Sequence, residues 1–335
     1  MTAPMKPFYS LFSFTLILGI SMVLSSNNWM IVWAGLELNL YSFIPLLLSS
    51  KINQEKEAAV KYFLFQALAS GLLLLGAISS QYQDNSPSFL FLALLMKLGM
   101  APCHFWFPIV MNSISWNMCW LLSTIQKISP MTLLISCVQF QSTSLLTIVA
   151  SMNALLGGLG GLNQTQLRAI LAYSSIGHMG WMSSGLISSN CSSLWYFIMY
   201  LILISSIIPM LALNTMKTNN FSTWSFSSSS TQKVLLLMAL LSLSGMPPTL
   251  GFFPKMFMIS SLMENQLFLL SFILVVSSAI NLFYYMKIGF NLFLSVPSSS
   301  PFSPMHTLPP RMLFMSLLLS AALVSATLSL PLLSM

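Results

Sequence analysis

Four charged side chains lie well inside long apolar stretches of this sequence: Glu37, Lys97, Lys127 and Lys255. A carboxylate and an amine each bind and release one proton, so a row of such groups can transfer protons. A charge at the centre of a bilayer costs on the order of 3 kcal/mol, and residues that bear this cost usually mark an ion path. We interpret the four as marking an ion path. The alternative, that they pair only to lock helix packing, is disfavoured because one glutamate faces three lysines.

His178, in the segment YSSIGHM, is a neutral companion of these charges in the middle of an apolar stretch. Histidine titrates near physiological pH, which suits a proton shuttle. A structural histidine held by hydrogen bonds is the other interpretation, and the sequence leaves both open.

The elements that must position these side chains are membrane-spanning helices. Of the 335 residues, 56% are hydrophobic and only 5% are charged, whereas soluble domains carry about 25% charged residues. Many apolar stretches reach about 20 residues, the length that crosses a bilayer as a helix. The alternation typical of barrel strands is not sustained, so the sequence predicts an all-α polytopic membrane protein.

Apolar runs between polar clusters predict about eleven spans. If the N-terminus is placed on one side of the membrane, every Lys and Arg of the connecting segments falls on that side, and the other side receives only Asp84 and Glu264. Such a bias supports the count. The sequence predicts one transmembrane domain over 1–335, with a first repeat at about 1–140, a second at about 141–290 and a final helix at about 311–333. The spans are at about 8–25, 28–48, 58–79, 88–111, 116–138, 144–162, 166–187, 193–213, 233–262, 266–287 and 311–333.

The fourth and ninth spans contain prolines and predict two broken helices. Residues 98–108 align without gaps on 244–254 and share Gly, Met, Pro and a terminal Phe-Pro. Proline removes a helical hydrogen bond, and broken helices at matching places in two repeats indicate a transport site. A kink kept for packing is the alternative. The predicted breaks are at Pro102, Pro108, Pro247 and Pro248.

Several other function classes find no support in the sequence. It contains no G-x-G-x-x-G or P-loop pattern for a nucleotide. It also has no C-x-x-C pair, and its four cysteines are scattered, which argues against a metal or iron–sulfur site. The net charge of +7 comes from dispersed residues and not from a patch, so we expect no nucleic-acid partner.

Six segments resemble the subunit 2 family of NADH dehydrogenase (ubiquinone), the mitochondrially encoded, antiporter-like membrane subunits of respiratory complex I. The last two spans are similar only in character. The segments are NNWMIVWAGLELNLYSFIPLL (27–47), EAAVKYFLFQALAS (57–70), KLGMAPCHFWFP (97–108), QKISP (126–130), NQTQLRAILAYSSIGHMGWM (163–182) and SGMPPTLGFFPK (244–255).

This resemblance implies inverted five-helix repeats and a proton path in which Glu37, Lys97, Lys127 and Lys255 occupy the family's positions. It implies other complex I membrane-arm subunits, including neighbouring antiporter-like ones, and lipids as partners. NADH, FMN, iron–sulfur clusters and ubiquinone would be bound by other subunits, with no cofactor or redox site in this chain. The implied location is the mitochondrial inner membrane, with the N-terminus in the matrix and the C-terminus in the intermembrane space.

The four charges predict a switch followed by a relay. Glu37 paired with Lys97 would favour the ammonium, and its movement to another partner would favour release of the proton. The predicted path runs Glu37–Lys97–Lys127–Lys255 through water. A proton-translocating subunit of NADH:ubiquinone oxidoreductase is the favoured function. A stand-alone cation/proton antiporter and an assembly scaffold with relic charges are the alternatives.

Overall fold

The computed structural model describes residues 7–49, 52–82, 88–137, 142–213, 230–247 and 249–294, and these residues form thirteen helices. The all-α class predicted from the sequence is therefore confirmed. The helices are α1 (Pro7–Ser25), α2 (Trp29–Leu48), α3 (Asn53–Tyr82), α4 (Ser88–Leu98), α5 (Trp106–Ser113), α6 (Trp116–Ser123), α7 (Ile125–Cys137), α8 (Thr143–Leu162), α9 (Leu167–Ser188), α10 (Asn190–Leu213), α11 (Ser230–Ser244), α12 (Phe252–Glu264) and α13 (Phe268–Leu294).

Seven of the helical segments in the described residues are long and apolar enough to cross a membrane. The helix α9 is not among them, although it has 22 residues, because serines and a histidine interrupt its apolar character. The predicted span 311–333 lies outside the described residues. The count of eleven spans therefore stays a prediction.

The helices expose many large apolar side chains and bury several polar ones, which is unlike the surface of a water-soluble protein. On α13, Phe272 and Phe283 are 69% and 63% exposed, whereas Ser277 and Asn281 are buried. This arrangement fits a lipid environment, where buried polar groups must find partners within the protein.

The chain divides into two compact units, residues 1–153 and 154–335, and α8 crosses the boundary. Within the first unit, α1 and α2 cross closely at Gly19 and Gly35: a Cβ on Gly19 would lie 2.9 Å from the Gly35 carbonyl oxygen. Within the second unit, Gly157 of α8 meets the backbone of Gly177 on α9 in the same way. Such contacts let membrane helices pack without large side chains between them. The predicted single domain is neither supported nor contradicted by this division.

Both spans predicted to be broken do consist of two helices. Residues 99–105 separate α4 from α5, and residues 245–251 separate α11 from α12. A third interruption was not predicted: the span expected at 116–138 is divided at Thr124, between α6 and α7. The span itself is confirmed as a membrane-crossing segment by length and composition, and the interruption within it is an additional finding. Ser123 and Thr124 explain it, because both hydroxyls donate to carbonyls of the preceding turn, a bonding pattern that bends helices.

Candidate proton-relay site

The first interruption begins with a glycine that ends α4. Gly99 has a φ of +71°, a conformation that glycine adopts without penalty. Its N–H donates to the Met96 carbonyl (3.2 Å), and the N–H of Met100 donates to the Leu95 carbonyl (2.9 Å). This pair of bonds is the Schellman motif, which ends a helix cleanly. Lys97 lies two residues before the glycine and is therefore held at the carboxyl end of α4.

Side chains from other helices bind the backbone groups that this interruption frees. The side-chain oxygen of Asn153 accepts from the Ala101 N–H (2.7 Å), and the Trp106 indole donates to the Met96 carbonyl (3.0 Å). The Gln66 amide donates to the carbonyl of Lys97 (3.3 Å). Because buried backbone groups need partners, these three contacts stabilise a break that would otherwise be unfavourable.

Lys97 and Lys127 line one cavity inside the first unit. The two residues are 7% and 3% exposed. The cavity has a volume of about 20 Å³, which is room for about one water molecule. The polar side chains that share its wall are Asn39, Tyr62, Gln66, Gln126 and Ser129.

Glu37 is close enough to this cavity for its charge to act on both Lys97 and Tyr62. It is not one of the lining residues, and it is only half-buried. Within the described residues the ion pair formed at contact distance is a different one, Lys61 with Glu57 at 2.6 Å on the exposed side of α3. Glu37 and Lys97 therefore interact without a direct ion pair in this structure.

Lys127 lies in the first turn of α7, just after the unpredicted interruption at Thr124. Its N–H donates to the Thr124 carbonyl (3.1 Å), and its ammonium lies 4.5 Å from the centre of the Phe107 ring. A cation over an aromatic face is stabilised by the ring quadrupole, more strongly when water is excluded. The signal that could have predicted this placement is the pair Ser123-Thr124 directly before the lysine.

The second interruption repeats the helix ending of the first. Gly245 has a φ of +78°. Its N–H donates to the Ser242 carbonyl, and the N–H of Met246 donates to the Leu241 carbonyl. Lys255 is buried in the first turn of α12, and its ammonium donates to the carbonyl of Ser244, the last residue of α11. It also lies 5.7 Å from the centre of the Trp181 ring.

The prolines predicted to break these helices occupy two kinds of position. Pro102 and Pro247 lie within the interruptions, whereas Pro108 is the third residue of α5. A proline is tolerated in a first helical turn because its missing N–H would have no helical partner there. Pro248 lies outside the described residues.

His178 lies in the second unit, 5% exposed, with its Nδ1 2.9 Å from the Tyr196 hydroxyl. The Tyr200 ring centre is 5.4 Å from that of the histidine. A hydrogen bond at Nδ1 fixes ring orientation and fits both a shuttle and a structural histidine, so its role stays a prediction. The sequence analysis did not single out Tyr196 as a candidate site residue. In the described part of the chain, no group of three or more His, Cys, Asp or Glu side chains is placed to hold a metal ion.

The fold and the buried charges together define a polytopic membrane protein with broken helices and lysines at the breaks. The sequence matches the family described as NADH:quinone oxidoreductase/Mrp antiporter, TM, over residues 26–86 and 78–281. It is 45% identical to the NADH-ubiquinone oxidoreductase chain 2 of Lumbricus terrestris over 306 residues, 89% of each chain. It is 40% identical to that of Locusta migratoria over 84% of each chain.

Solved structures with the same fold are more distant in sequence. A chain of respiratory complex I from Thermus thermophilus superposes with a TM-score of 0.83 at 23% identity, covering 98% of this chain and 81% of that one. A chain of the Mrp complex from a Dietzia species gives 0.80 at 17% identity, covering 89% and 64%. The chain belongs to the NADH:quinone oxidoreductase/Mrp antiporter family and, within it, to the NADH-ubiquinone oxidoreductase chain 2 proteins.

Proposed function

We propose that this chain is a proton-translocating membrane subunit of NADH:ubiquinone oxidoreductase, respiratory complex I. The observation that carries the proposal is the placement of two buried lysines, Lys97 and Lys127, on one small cavity, with the charge of Glu37 acting on one of them. Buried ionisable groups in membrane helices are costly and mark ion paths. The close chain 2 relatives support the assembly in which this path works.

The chain's own part in the reaction is to hold and move protons. Attraction between Glu37 and the Lys97 ammonium is strong where water is scarce, so approach of the carboxylate favours a proton on Lys97. Its departure favours transfer of that proton across the cavity, through one water, to Lys127. Lys255 is the relay of the second unit, and His178 is a second candidate there.

In this proposal the chain performs no redox step. NADH, FMN, iron–sulfur clusters and ubiquinone are bound by partner subunits, and reduction of the quinone there drives the movement of Glu37. The chain is embedded in the mitochondrial inner membrane beside the other membrane-arm subunits, with its N-terminus in the matrix and its C-terminus in the intermembrane space.

A stand-alone cation/proton antiporter is the second candidate, because the fold also matches the Mrp complex. A sodium or potassium site would call for several oxygen ligands from carboxylates or carbonyls. Glu37 is the only acidic residue well inside a predicted span, which favours protons over metal cations.

A native gel distinguishes the two candidates. Membranes are extracted in a mild detergent, and the gel is stained for NADH oxidation and analysed by mass spectrometry. We expect this chain in a large active band together with flavin and iron–sulfur subunits. Its recovery apart from NADH oxidation activity would overturn the complex I assignment and favour the free antiporter.

A further inference from the structure

We infer that Asn39 and Gln126 are positioning residues of the relay, which tie the helix that carries Glu37 to the helix that carries Lys127. This inference rests on the proposed function, because it concerns how the same charges are aligned. Its basis is a buried chain of hydrogen bonds along the wall of the cavity.

The chain of bonds crosses three helices of the first unit. The Tyr62 hydroxyl of α3 donates to the side-chain oxygen of Gln126 (3.2 Å). The Gln126 amide nitrogen donates to the side-chain oxygen of Asn39 on α2 (3.0 Å). The Asn39 nitrogen then donates to the Ser129 hydroxyl of α7 (3.4 Å). All four residues line the cavity that contains Lys97 and Lys127.

The bonds run in one direction, so each amide donates once and accepts once within the chain. Turning one amide over alone would place two donors or two acceptors against each other, so the orientations of the two amides are coupled. An amide N–H does not give up its proton near neutral pH, so these bonds cannot conduct protons as a wire. Their role is to hold helices in place.

The positions of Asn39 and Glu37 along α2 explain which feature of the site these hydrogen bonds fix. Asn39 follows Glu37 by two residues, and successive helical residues are rotated by about 100°, so the two side chains point to nearly opposite sides of α2. Asn39 is 3% exposed and bonded to α7, whereas Glu37 is half-buried. Anchoring Asn39 therefore fixes the rotation of α2 about its axis, and with it the distance from Glu37 to the lysines.

Two aromatic contacts hold the free end of the chain of bonds. The Tyr62 ring packs edge-on against Phe43 of α2 (5.1 Å between ring centres) and Trp106 of α5 (5.8 Å). Trp106 in turn donates to the Met96 carbonyl at the end of α4. These contacts connect the row of hydrogen bonds to the end of α4, which carries Lys97, as well as to α7, which carries Lys127.

The test uses the complete membrane complex and compares protons translocated per NADH oxidised. Asn39→Leu and Gln126→Met each remove the amide while keeping most of the volume. The double exchange Asn39→Gln with Gln126→Asn keeps both amides and the combined length of the two side chains. Ser70→Ala is the matched control, since Ser70 is buried on α3 and its hydroxyl bonds within its own helix.

We expect each single variant to lower the proton-to-NADH ratio at least twofold in assembled complex, the double exchange to restore most of it, and Ser70→Ala to leave it unchanged. A residue that only supports the fold would lower the amount of complex and not this ratio. Single variants with the normal ratio, or a double exchange as impaired as the singles, would overturn the inference.

Two further variants keep the outcome decisive. If the single variants do not assemble, Ser129→Ala removes the α7 hydroxyl that accepts from Asn39 of α2, and an unchanged ratio in that variant rejects the inference. Lys97→Met separates this inference from the proposed function. If Lys97→Met lowers the ratio but the amide variants do not, only the positioning role fails, whereas a normal ratio in Lys97→Met rejects the proton path itself.

Discussion

The two broken helices share a helix ending but use their lysines differently. In both, a glycine with positive φ follows the first half-helix, and the same two backbone bonds close its end. At the first break, Asn153, Trp106 and Gln66 bind the freed backbone groups, and Lys97 lines the cavity. At the second break, Lys255 itself binds the carbonyl of Ser244.

This difference indicates that the same helix ending can be combined with two different roles for the lysine beside it. A cation near the carboxyl end of a helix is stabilised by the carbonyls there, and both lysines lie near such an end. Lys255 gains this stabilisation through a direct hydrogen bond, so its ammonium also holds the two half-helices together. At the first break, neighbouring side chains and not Lys97 bind the freed backbone groups. We therefore propose that the first break serves proton exchange and that the second combines a relay position with a structural one.

The largest expected effect comes from removing the second lysine of the cavity. Lys127→Met keeps most of the side-chain volume but cannot carry a proton, so we expect proton translocation to fall by about tenfold or more. Dye quenching in sealed vesicles during NADH oxidation measures it. Translocation at the normal rate would mean that the cavity needs only Lys97, and it would remove the contrast between the two breaks.

At the second break we expect two effects, one on proton translocation and one on thermal stability, each smaller than the effect of Lys127→Met. Lys255→Met removes the relay group together with its bond to Ser244, and a hydrogen bond of a charged group contributes about 1.5–3 kcal/mol. We expect weaker proton translocation and a lower temperature of inactivation of the complex, measured side by side. Lys97→Met should leave the inactivation temperature nearly unchanged. Equal thermal losses in the two variants, or normal pumping in Lys255→Met, would contradict the division of tasks.

The smallest effects concern the two glycines. Alanine in this conformation costs about 1–2 kcal/mol, so Gly99→Ala and Gly245→Ala should both reduce the amount of assembled complex. A Cβ on Gly99 would lie 2.9 Å from the Cβ of Phe107, whereas one on Gly245 would meet the flexible end of Lys255 at 2.8–3.0 Å. We expect Gly99→Ala to lower stability more. Gly245→Ala, which displaces the lysine, should instead lower proton translocation in the complex that does assemble.

Most of the fold and the charged residues could be predicted from the sequence because their signals are local. Apolar runs set the helices, and the shared Gly-Met and Phe-Pro residues predicted both breaks. The division at Thr124 was missed because Trp116–Cys137 is apolar enough overall to cross a membrane as one span, and only the back-bonding hydroxyls of Ser123 and Thr124 mark the division. The polar contacts among the other residues that line the lysine cavity could not be predicted either. The contact of Tyr62 with Gln126 joins residues 64 positions apart, and no local pattern specifies it.

The central claim is that the cavity of the first unit conducts protons through Lys97. The direct test measures protons translocated per NADH oxidised for Lys97→Met, with Lys61→Met as control. Lys61 is an exposed lysine paired with Glu57, and such surface pairs contribute only about 0–1 kcal/mol. The account predicts a reduced ratio in the first variant and a normal ratio in the second, at equal amounts of complex. A normal ratio in Lys97→Met would contradict it.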